Sequence, residues 1–263
     1  MDLTKDNITE LIKKIAIPAS VGTFFQTMYN LVDSKFAGLI SPEALTAIVK
    51  SFPIYLIIIA ASVGISAGTT ALISNTLGQK DTEKASVLFA QSIIVALLIT
   101  FVVTFIGIAS IKDILIILKS NNQIISYATD YMNVIFSGSI VIFLLVTINA
   151  SLVSRGDTKS YRNVLIFSFF LNILLNPLFI YGFYLIPAMG ISGIALATIV
   201  SELIGLIYLI YKINKTEIRE YLSPECFKPK MTLISDILKQ AIPSGLSMGM
   251  VGFGVFILIY LVS

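Results

Sequence analysis

Residues 86–111 read SVLFAQSIIVALLITFVVTFIGIASI, an apolar run that contains no charged side chain. A helix crosses the roughly 30 Å of bilayer hydrocarbon with about 20 mostly apolar residues. The sequence shows no alternating segments of the kind that barrel strands require, and helices satisfy their own backbone hydrogen bonds in lipid. We therefore predict an all-α integral membrane protein with seven transmembrane helices, at about 14–38, 52–76, 86–111, 124–153, 160–182, 189–211 and 235–262.

The composition agrees with a membrane protein and excludes several other classes. Hydrophobic residues make up 56% of the 263 residues and charged residues only 13%, about half the usual share of a soluble domain. The net charge of +3 is spread over helix ends and loops, so no nucleic-acid partner is expected. The chain has no histidine and a single cysteine, Cys226. We therefore expect no enzyme activity, no cofactor, no disulfide within the chain, and no metal other than sodium.

The distribution of basic residues predicts the orientation in the membrane. If the N-terminus lies inside, fourteen of the eighteen Lys and Arg residues fall on the inner side, which is the usual bias of membrane proteins. The sequence thus predicts a multi-pass protein of the cell (inner) membrane, in contact with membrane lipid, with a cytoplasmic N-terminus. The four basic residues placed outside are Lys35, Lys50, Lys112 and Lys119.

A short internal repeat suggests how the chain is divided. Residues 12–18 (IKKIAIP) match residues 237–243 (ILKQAIP) at five of seven positions, and both segments open a long span. We predict a first six-helix lobe at 1–211, a cytoplasmic linker at 212–234, and the first helix of a second lobe at 235–263. The chain is then expected to be part of a protein nearly twice as long. The basic residues of the linker are interpreted either as a solvated loop or as contacts with anionic lipid.

A polar stripe on the first span contains the first candidate site residue. Thr23, Gln26, Asn30 and Asp33 recur at spacings of three and four, which places them on one helical face. A charge within the membrane costs about 2.5–3.5 kcal/mol at a helix centre, so such a stripe should face a bundle interior or a water-filled cavity. The alternative is that Asp33 lies at the membrane interface and is solvated.

The fifth and sixth spans carry further polar residues at about the same depth as Asp33. Asn172 and Asn176 are four residues apart and precede Pro177, which removes a backbone donor. Their oxygens could coordinate a cation, or the amides could form hydrogen bonds between helices. Thr198 lies on the sixth span within the same membrane layer, with Glu202 one turn deeper.

Two other features are interpreted structurally. Pro18 in the first span is either a static kink or a hinge. In the second span, Gly64 and Gly68 form a small-xxx-small pattern, which predicts close helix packing in preference to a binding role.

Five segments in order resemble the MATE (multidrug and toxic compound extrusion) family. The first runs from Pro18 to Asp33, shortly before Gly38 at the helix end. The second extends from Gly64 to Gly78. The third is RGDT at 155–158, the fourth is NILLNPLFIYG at 172–182, and the fifth is GISGIALAT at 190–198. The resemblance covers nearly the whole chain.

The resemblance implies a two-lobed exporter of twelve helices, driven by entry of sodium or protons, of which this chain is the first lobe and one further helix. It implies a cation site at Asp33, Asn172, Asn176 and Thr198, with a small-molecule substrate and a second lobe as partners. Asn176 stands where many relatives carry Asp, so the site has one charge fewer. Glu202, Gln26 and Asn30 are accessory candidates, and Glu202 is a hypothetical second carboxylate.

The predicted function is therefore a cation-coupled antiporter that exports drugs or other small organic, often cationic, compounds. One alternative is a flippase for lipid-linked saccharides from the same superfamily, but such proteins usually line their cavity with cationic residues to hold pyrophosphate. A seven-helix receptor is the third interpretation of the function. It fits the helix count, but it does not fit the repeat or a cytoplasmic N-terminus.

Overall fold

The computed structural model describes residues 8–262, and within this range the chain forms a bundle of seven long α-helices. Two short 3-10 helices, Glu217–Arg219 and Pro224–Phe227, lie between the last two. Residues 1–7 and Ser263, at the ends of the first and third predicted units, lie outside the described residues, as does the Lys14 side chain of the predicted repeat. The long helices are α1 (Ile8–Ile40), α2 (Pro42–Gly78), α3 (Thr82–Ile117), α4 (Asn122–Val153), α5 (Lys159–Tyr181), α6 (Ile191–Ile213) and α7 (Met231–Val262).

Several helices extend well beyond the predicted spans because their ends are capped. The Ser41 hydroxyl accepts a hydrogen bond from the Ala44 backbone N–H at 3.0 Å and starts α2 ten residues early. The Asp81 carboxylate accepts from the Lys84 N–H at 2.9 Å and starts α3. Lys50, which we had placed ahead of the second span, therefore lies inside α2. Its side chain is buried, and its amine donates to the Leu118 carbonyl at the end of α3 at 2.6 Å.

Six of the helices in residues 8–262, α2 to α7, are long and apolar enough to cross a membrane. The first helix has 33 residues, more than α5 or α6, but does not belong to this set. The physical reason is its polar stripe, which includes Gln26, Asn30 and Asp33 and lowers its apolar content. The prediction of membrane-crossing helices is thus supported by composition for six of the seven, and the crossing by α1 remains a prediction.

Glycines allow α2 to approach α7 closely. A methyl group built at Gly64 would lie 2.6 Å from the Ala241 carbonyl oxygen, and one at Gly68 would lie 2.7 Å from that of Ile237. Both distances are shorter than any real contact, so only glycine permits this crossing. The predicted close packing of the second span is therefore confirmed, and α7 is its partner.

The segment between α6 and α7 is packed against α3. Gln91 of α3 is fully buried, and its amide nitrogen donates to the carbonyl oxygens of Cys226 and Lys228 at 2.7 and 2.8 Å. Its side-chain oxygen accepts from the Lys230 N–H at 2.8 Å. The Ser86 hydroxyl of the same helix donates to the Ile218 carbonyl at 2.9 Å. The predicted linker at 212–234 is shorter in the structure because α6 runs to Ile213 and α7 begins at Met231.

A tight connection joins α5 to α6 and fixes the relative position of these helices. Gly182 and Gly190 adopt positive φ angles of 75° and 56°, which favour glycine. Within α6, Gly193 lies against the α5 backbone, because a methyl group there would be 2.6 Å from the Phe179 carbonyl carbon. This contact brings the faces of α5 and α6 that carry Asn176 and Thr198 together.

The close approach at Gly193 yields a prediction for stability. We expect Gly193→Ala to force α5 and α6 apart, since the obstructing atoms belong to the backbone and cannot change rotamer. Overpacking of this kind costs about 1–3 kcal/mol, which corresponds to a fall of several degrees in the melting temperature. Circular dichroism melting of the protein in detergent measures the effect. Gly254→Ala is the matched control, since a methyl group at Gly254 meets nothing within 4 Å. Equal melting temperatures for the two variants would contradict the prediction.

Candidate cation-binding site

The carboxylate of Asp33 lies at the meeting point of α1, α5 and α6. Its side chain is only 5% exposed. One carboxylate oxygen, Oδ1, accepts a hydrogen bond from Asn176 Nδ2 at 3.0 Å, and the other, Oδ2, from Thr198 Oγ1 at 3.0 Å. Of the two interpretations of Asp33 left open by the sequence, the structure shows the buried one. A buried carboxylate needs such donors, because an unpaired charge inside a protein is strongly unfavourable.

The two asparagines of α5 are fully buried and are joined by a hydrogen bond. The Asn176 amide nitrogen donates to Asn172 Oδ1 at 2.8 Å as well as to Asp33, so both of its hydrogens are used. The side-chain oxygen of Asn176 has no hydrogen-bond partner among the described residues. Pro177 also leaves the carbonyl of Ile173 without its usual helical donor. This site therefore contains acceptor oxygens that the protein itself does not satisfy.

Thr198 can exchange its hydrogen-bond partner. Its single hydroxyl hydrogen is within reach of Asp33 Oδ2 at 3.0 Å and of the Ile194 carbonyl one turn earlier on α6 at 3.1 Å. A hydroxyl donates one hydrogen bond at a time and can accept others. Thr198 can thus turn its hydrogen to Ile194 and offer its lone pairs to a proton or a cation on Asp33.

The structure brings all four predicted site residues together: Asp33, Asn172, Asn176 and Thr198 form one hydrogen-bonded cluster. The cluster offers carboxylate, amide and hydroxyl oxygens, which are the ligands that hard cations prefer. The same carboxylate can alternatively take up a proton. The geometry fits both coupling ions, and the cation-binding role of the cluster remains a prediction.

The accessory candidates lie around a cavity of about 120 Å³ next to the cluster. Gln26 and Asn30 line it together with Asp33, so most of the predicted polar stripe does face a cavity. Thr23, the fourth member of the stripe, does not line this cavity, and its hydroxyl donates to the Ala19 carbonyl at 3.1 Å.

Glu202 and Pro18 occupy different positions relative to the cluster. Glu202 lines the same cavity as Asp33, and its Oε2 atom is buried without a hydrogen-bond partner among residues 8–262. Pro18 is buried in the first half of α1, which continues as one helix through it to Ile40. A hinge role for Pro18 stays a prediction.

Three tyrosines also line the cavity, and sequence reasoning missed them. Tyr29, Tyr55 and Tyr131 come from α1, α2 and α4. Tyrosines in apolar spans resemble ordinary core or interface residues, so the sequence did not identify these three as cavity residues. Tyr29 could have been found, since it lies three residues after Gln26 and four before Asp33 on the polar face of α1.

Comparison with known proteins agrees with the family resemblance. The family model described as MatE matches residues 18–178, which is more than half of the chain. The match contains the polar stripe of α1 and both asparagines of α5, and it ends before α6.

Two curated relatives illustrate the range of similar proteins. A "Probable multidrug resistance protein NorM" of Thermotoga maritima is 29% identical over 252 residues, covering 93% of this chain and 53% of the relative. A protein named "FAD transporter" from Shewanella oneidensis is 27% identical over 199 residues, covering 76% of this chain and 44% of that protein. This chain spans about half the length of the curated relatives it matches, and those relatives are named as transport or resistance proteins, not as enzymes.

Solved structures show the same fold. A MOP superfamily transporter from Pyrococcus furiosus superposes with a TM-score of 0.80 at 28% sequence identity, covering 90% of this chain and 52% of that one. The superposition thus covers a larger share of this chain than residues 18–178, which the family model matches. This protein therefore belongs to the MatE family of multi-pass membrane transporters.

Proposed function

We propose that this chain forms the first lobe, and the first helix of the second lobe, of a sodium- or proton-coupled antiporter that exports small organic compounds. The observation that supports the proposal is the buried Asp33 carboxylate, held by neutral donors from α5 and α6 and facing unsatisfied oxygens. The coverage of about half of each relative is what a single lobe of a two-lobed transporter would give. We expect the N-terminus to lie in the cytoplasm.

The coupling mechanism follows from the charge on Asp33. With no cation bound, the carboxylate holds the side chains of Asn176 and Thr198 and draws α1, α5 and α6 together. A sodium ion or proton neutralises the carboxylate, which weakens these charge-assisted hydrogen bonds and lowers the cost of removing water from the cavity. Because the two states of Asp33 favour different helix arrangements, cation entry can be linked to exchange between outward- and inward-open forms.

The charge of the cavity favours export of cations over transfer of lipid-linked saccharides. The cavity beside the cluster is lined by two carboxylates, Asp33 and Glu202, and by no basic residue among those described. A pyrophosphate group would need basic partners there. Lys50, the buried lysine, is instead bonded to the end of α3. The relatives include a protein named as a probable multidrug resistance protein and one named as an FAD transporter.

The first test removes the charge of Asp33 without changing its size. We expect Asp33→Asn, in the protein expressed with its second lobe, to lose export of a fluorescent cationic dye from proteoliposomes. Losing one charge from a buried hydrogen-bonded site costs about 2–5 kcal/mol, more than about tenfold in cation affinity. Sodium and proton gradients are imposed separately to identify the coupling ion. Asp113→Asn, an exposed acid on α3, is the matched control and should export normally. Normal dye export by Asp33→Asn under both gradients would refute the proposal.

The second test restores the acid that many relatives carry at position 176. Asn176→Asp replaces the group that donates to Asp33 with a second carboxylate, so the two acids repel each other until a cation lies between them. We expect addition of sodium chloride, compared with potassium chloride, to raise the melting temperature more in this variant than in the wild type. Asn163→Asp, the same change at an exposed position of α5, should leave the sodium effect unchanged. A sodium effect in Asn176→Asp no larger than that of the wild type would contradict a cation site at this position.

A further inference from the structure

The segment between α6 and α7 is held by one side chain of α3. Gln91 is fully buried, its amide nitrogen donates to the carbonyl oxygens of Cys226 and Lys228 at 2.7 and 2.8 Å, and its oxygen accepts from the Lys230 N–H at 2.8 Å. Both amide hydrogens and the side-chain oxygen are thus used. Every partner is a backbone atom, so the contact does not depend on which side chains this segment carries.

The bond to Lys230 fixes the point at which α7 begins. Lys230 directly precedes Met231, the first residue of α7, and its carbonyl oxygen accepts from the Ile234 N–H at 3.0 Å in the first turn of that helix. Lys230 is therefore bonded to α3 through its N–H and to α7 through its carbonyl. The start of α7 moves away from α3 only if the bond to Gln91 breaks or the first turn of α7 unwinds.

Further contacts hold the same segment at this end of the bundle, where α6 ends and α7 begins. The hydroxyl of Ser86, which is also fully buried, donates to the Ile218 carbonyl at 2.9 Å. Arg155, after α4, pairs with Glu217 at 3.7 Å, but this ion pair is partly exposed and such pairs contribute little. The buried hydrogen bonds from α3 are therefore the main attachment.

The other end of α7 is joined to α3 much less firmly. A cavity of about 360 Å³ at that end is lined by Ile114 of α3 and by Phe253 and Phe256 of α7. Beyond it, the Lys119 ammonium lies over the ring of Tyr260, 4.9 Å from the centroid, and both side chains are exposed. A cation–π contact at an exposed site is weak. Helix α7 is thus tied to α3 where it begins and is loosely packed against it further along.

We propose that Gln91 is a latch that keeps the transporter closed at the end where α7 begins. Its three hydrogen bonds hold the first helix of the second lobe on the first lobe, and breaking them is a step in opening that end. The inference rests on the proposed transport function, and in the proposed orientation this end faces the cytoplasm. Gln91 is a positioning residue, since it does not line the cavity beside Asp33. Weakening the latch shifts the protein towards its cytoplasm-open form.

The thiol of Cys226 measures how often the latch opens. It is buried, and the chain has no other cysteine, so its reaction with a maleimide follows the population in which the segment has left α3. We expect Gln91→Met, which keeps the side-chain length and removes the hydrogen bonds, to label at least about tenfold faster than the wild type in detergent, a ratio equal to 1.4 kcal/mol. Gln91→Glu keeps the shape but turns a carboxylate towards two carbonyls, so it should also label faster. Gln123→Met, at an exposed position of α4, is the matched control and should label at the wild-type rate.

Wild-type labelling rates in both Gln91 variants would overturn the latch. Circular dichroism establishes that each variant is folded before it is labelled. If Gln91→Met does not fold, Gln91→Glu takes its place in both measurements.

Export kinetics of the protein expressed with its second lobe distinguish a latch from a general loss of stability. A weaker latch raises the fraction of molecules open to the cytoplasm, and with it the apparent affinity for a compound taken up there. We expect the apparent KM for dye export to fall at least about threefold in Gln91→Met, whereas a merely less stable variant has fewer active molecules and an unchanged KM. An unchanged or raised KM overturns the latch even if Cys226 labels faster. Absence of cation-driven export by the wild type would instead refute the proposed function, whatever the labelling rates.

Discussion

The need to satisfy a carboxylate inside a membrane bundle determines how this lobe is assembled. Asp33 lies on the most polar of the long helices, and its two oxygens must be paired within the protein because lipid offers no donor. The donors come from Asn176 on α5 and Thr198 on α6, helices that are distant from α1 in sequence. The three helices are therefore held together by one charge as well as by apolar packing. Any event that neutralises the charge changes how strongly they associate.

Backbone contacts make this arrangement of helices specific. In lipid, helices gain little from the hydrophobic effect and associate through close packing, so small residues decide where they meet. Gly193 lets α6 lie directly on the α5 backbone, beside the two residues that bind Asp33. Gly64 and Gly68 likewise let α7 pack closely on α2. The α2–α7 contact belongs to the region where a second lobe would begin, whereas the α5–α6 contact forms the site. The glycine contact between α5 and α6 thus positions the candidate site, and the one between α2 and α7 positions the last helix.

Most of the fold and the identities of the clustered residues could be predicted from the sequence. The hydrogen bonds that join those residues could not. Long apolar runs predict helices directly, and spacings of three and four predicted that Asn172 and Asn176 share a face. Helix ends were less predictable, since the cap at Ser41 extends α2 and places Lys50 inside this helix, with its amine bonded to the end of α3. The tyrosines of the cavity were missed because their positions depend on which faces of α1, α2 and α4 meet, and spacing along one helix does not specify that. Gln91 was overlooked for the same reason, since its partners are backbone groups far along the chain.

Asp33 and Glu202 line the same small cavity, but the protein satisfies their oxygens differently. If both were unpaired, their repulsion would disfavour the closed bundle, and any cation could occupy either position. Here Asp33 is paired by donors from α5 and α6, whereas Glu202 keeps one buried oxygen without a hydrogen-bond partner in residues 8–262. Because both line the same space, occupation of one position changes the field at the other. In the proposed antiporter, a change of charge at Asp33 therefore acts directly on Glu202, without a long-range conformational signal within the lobe.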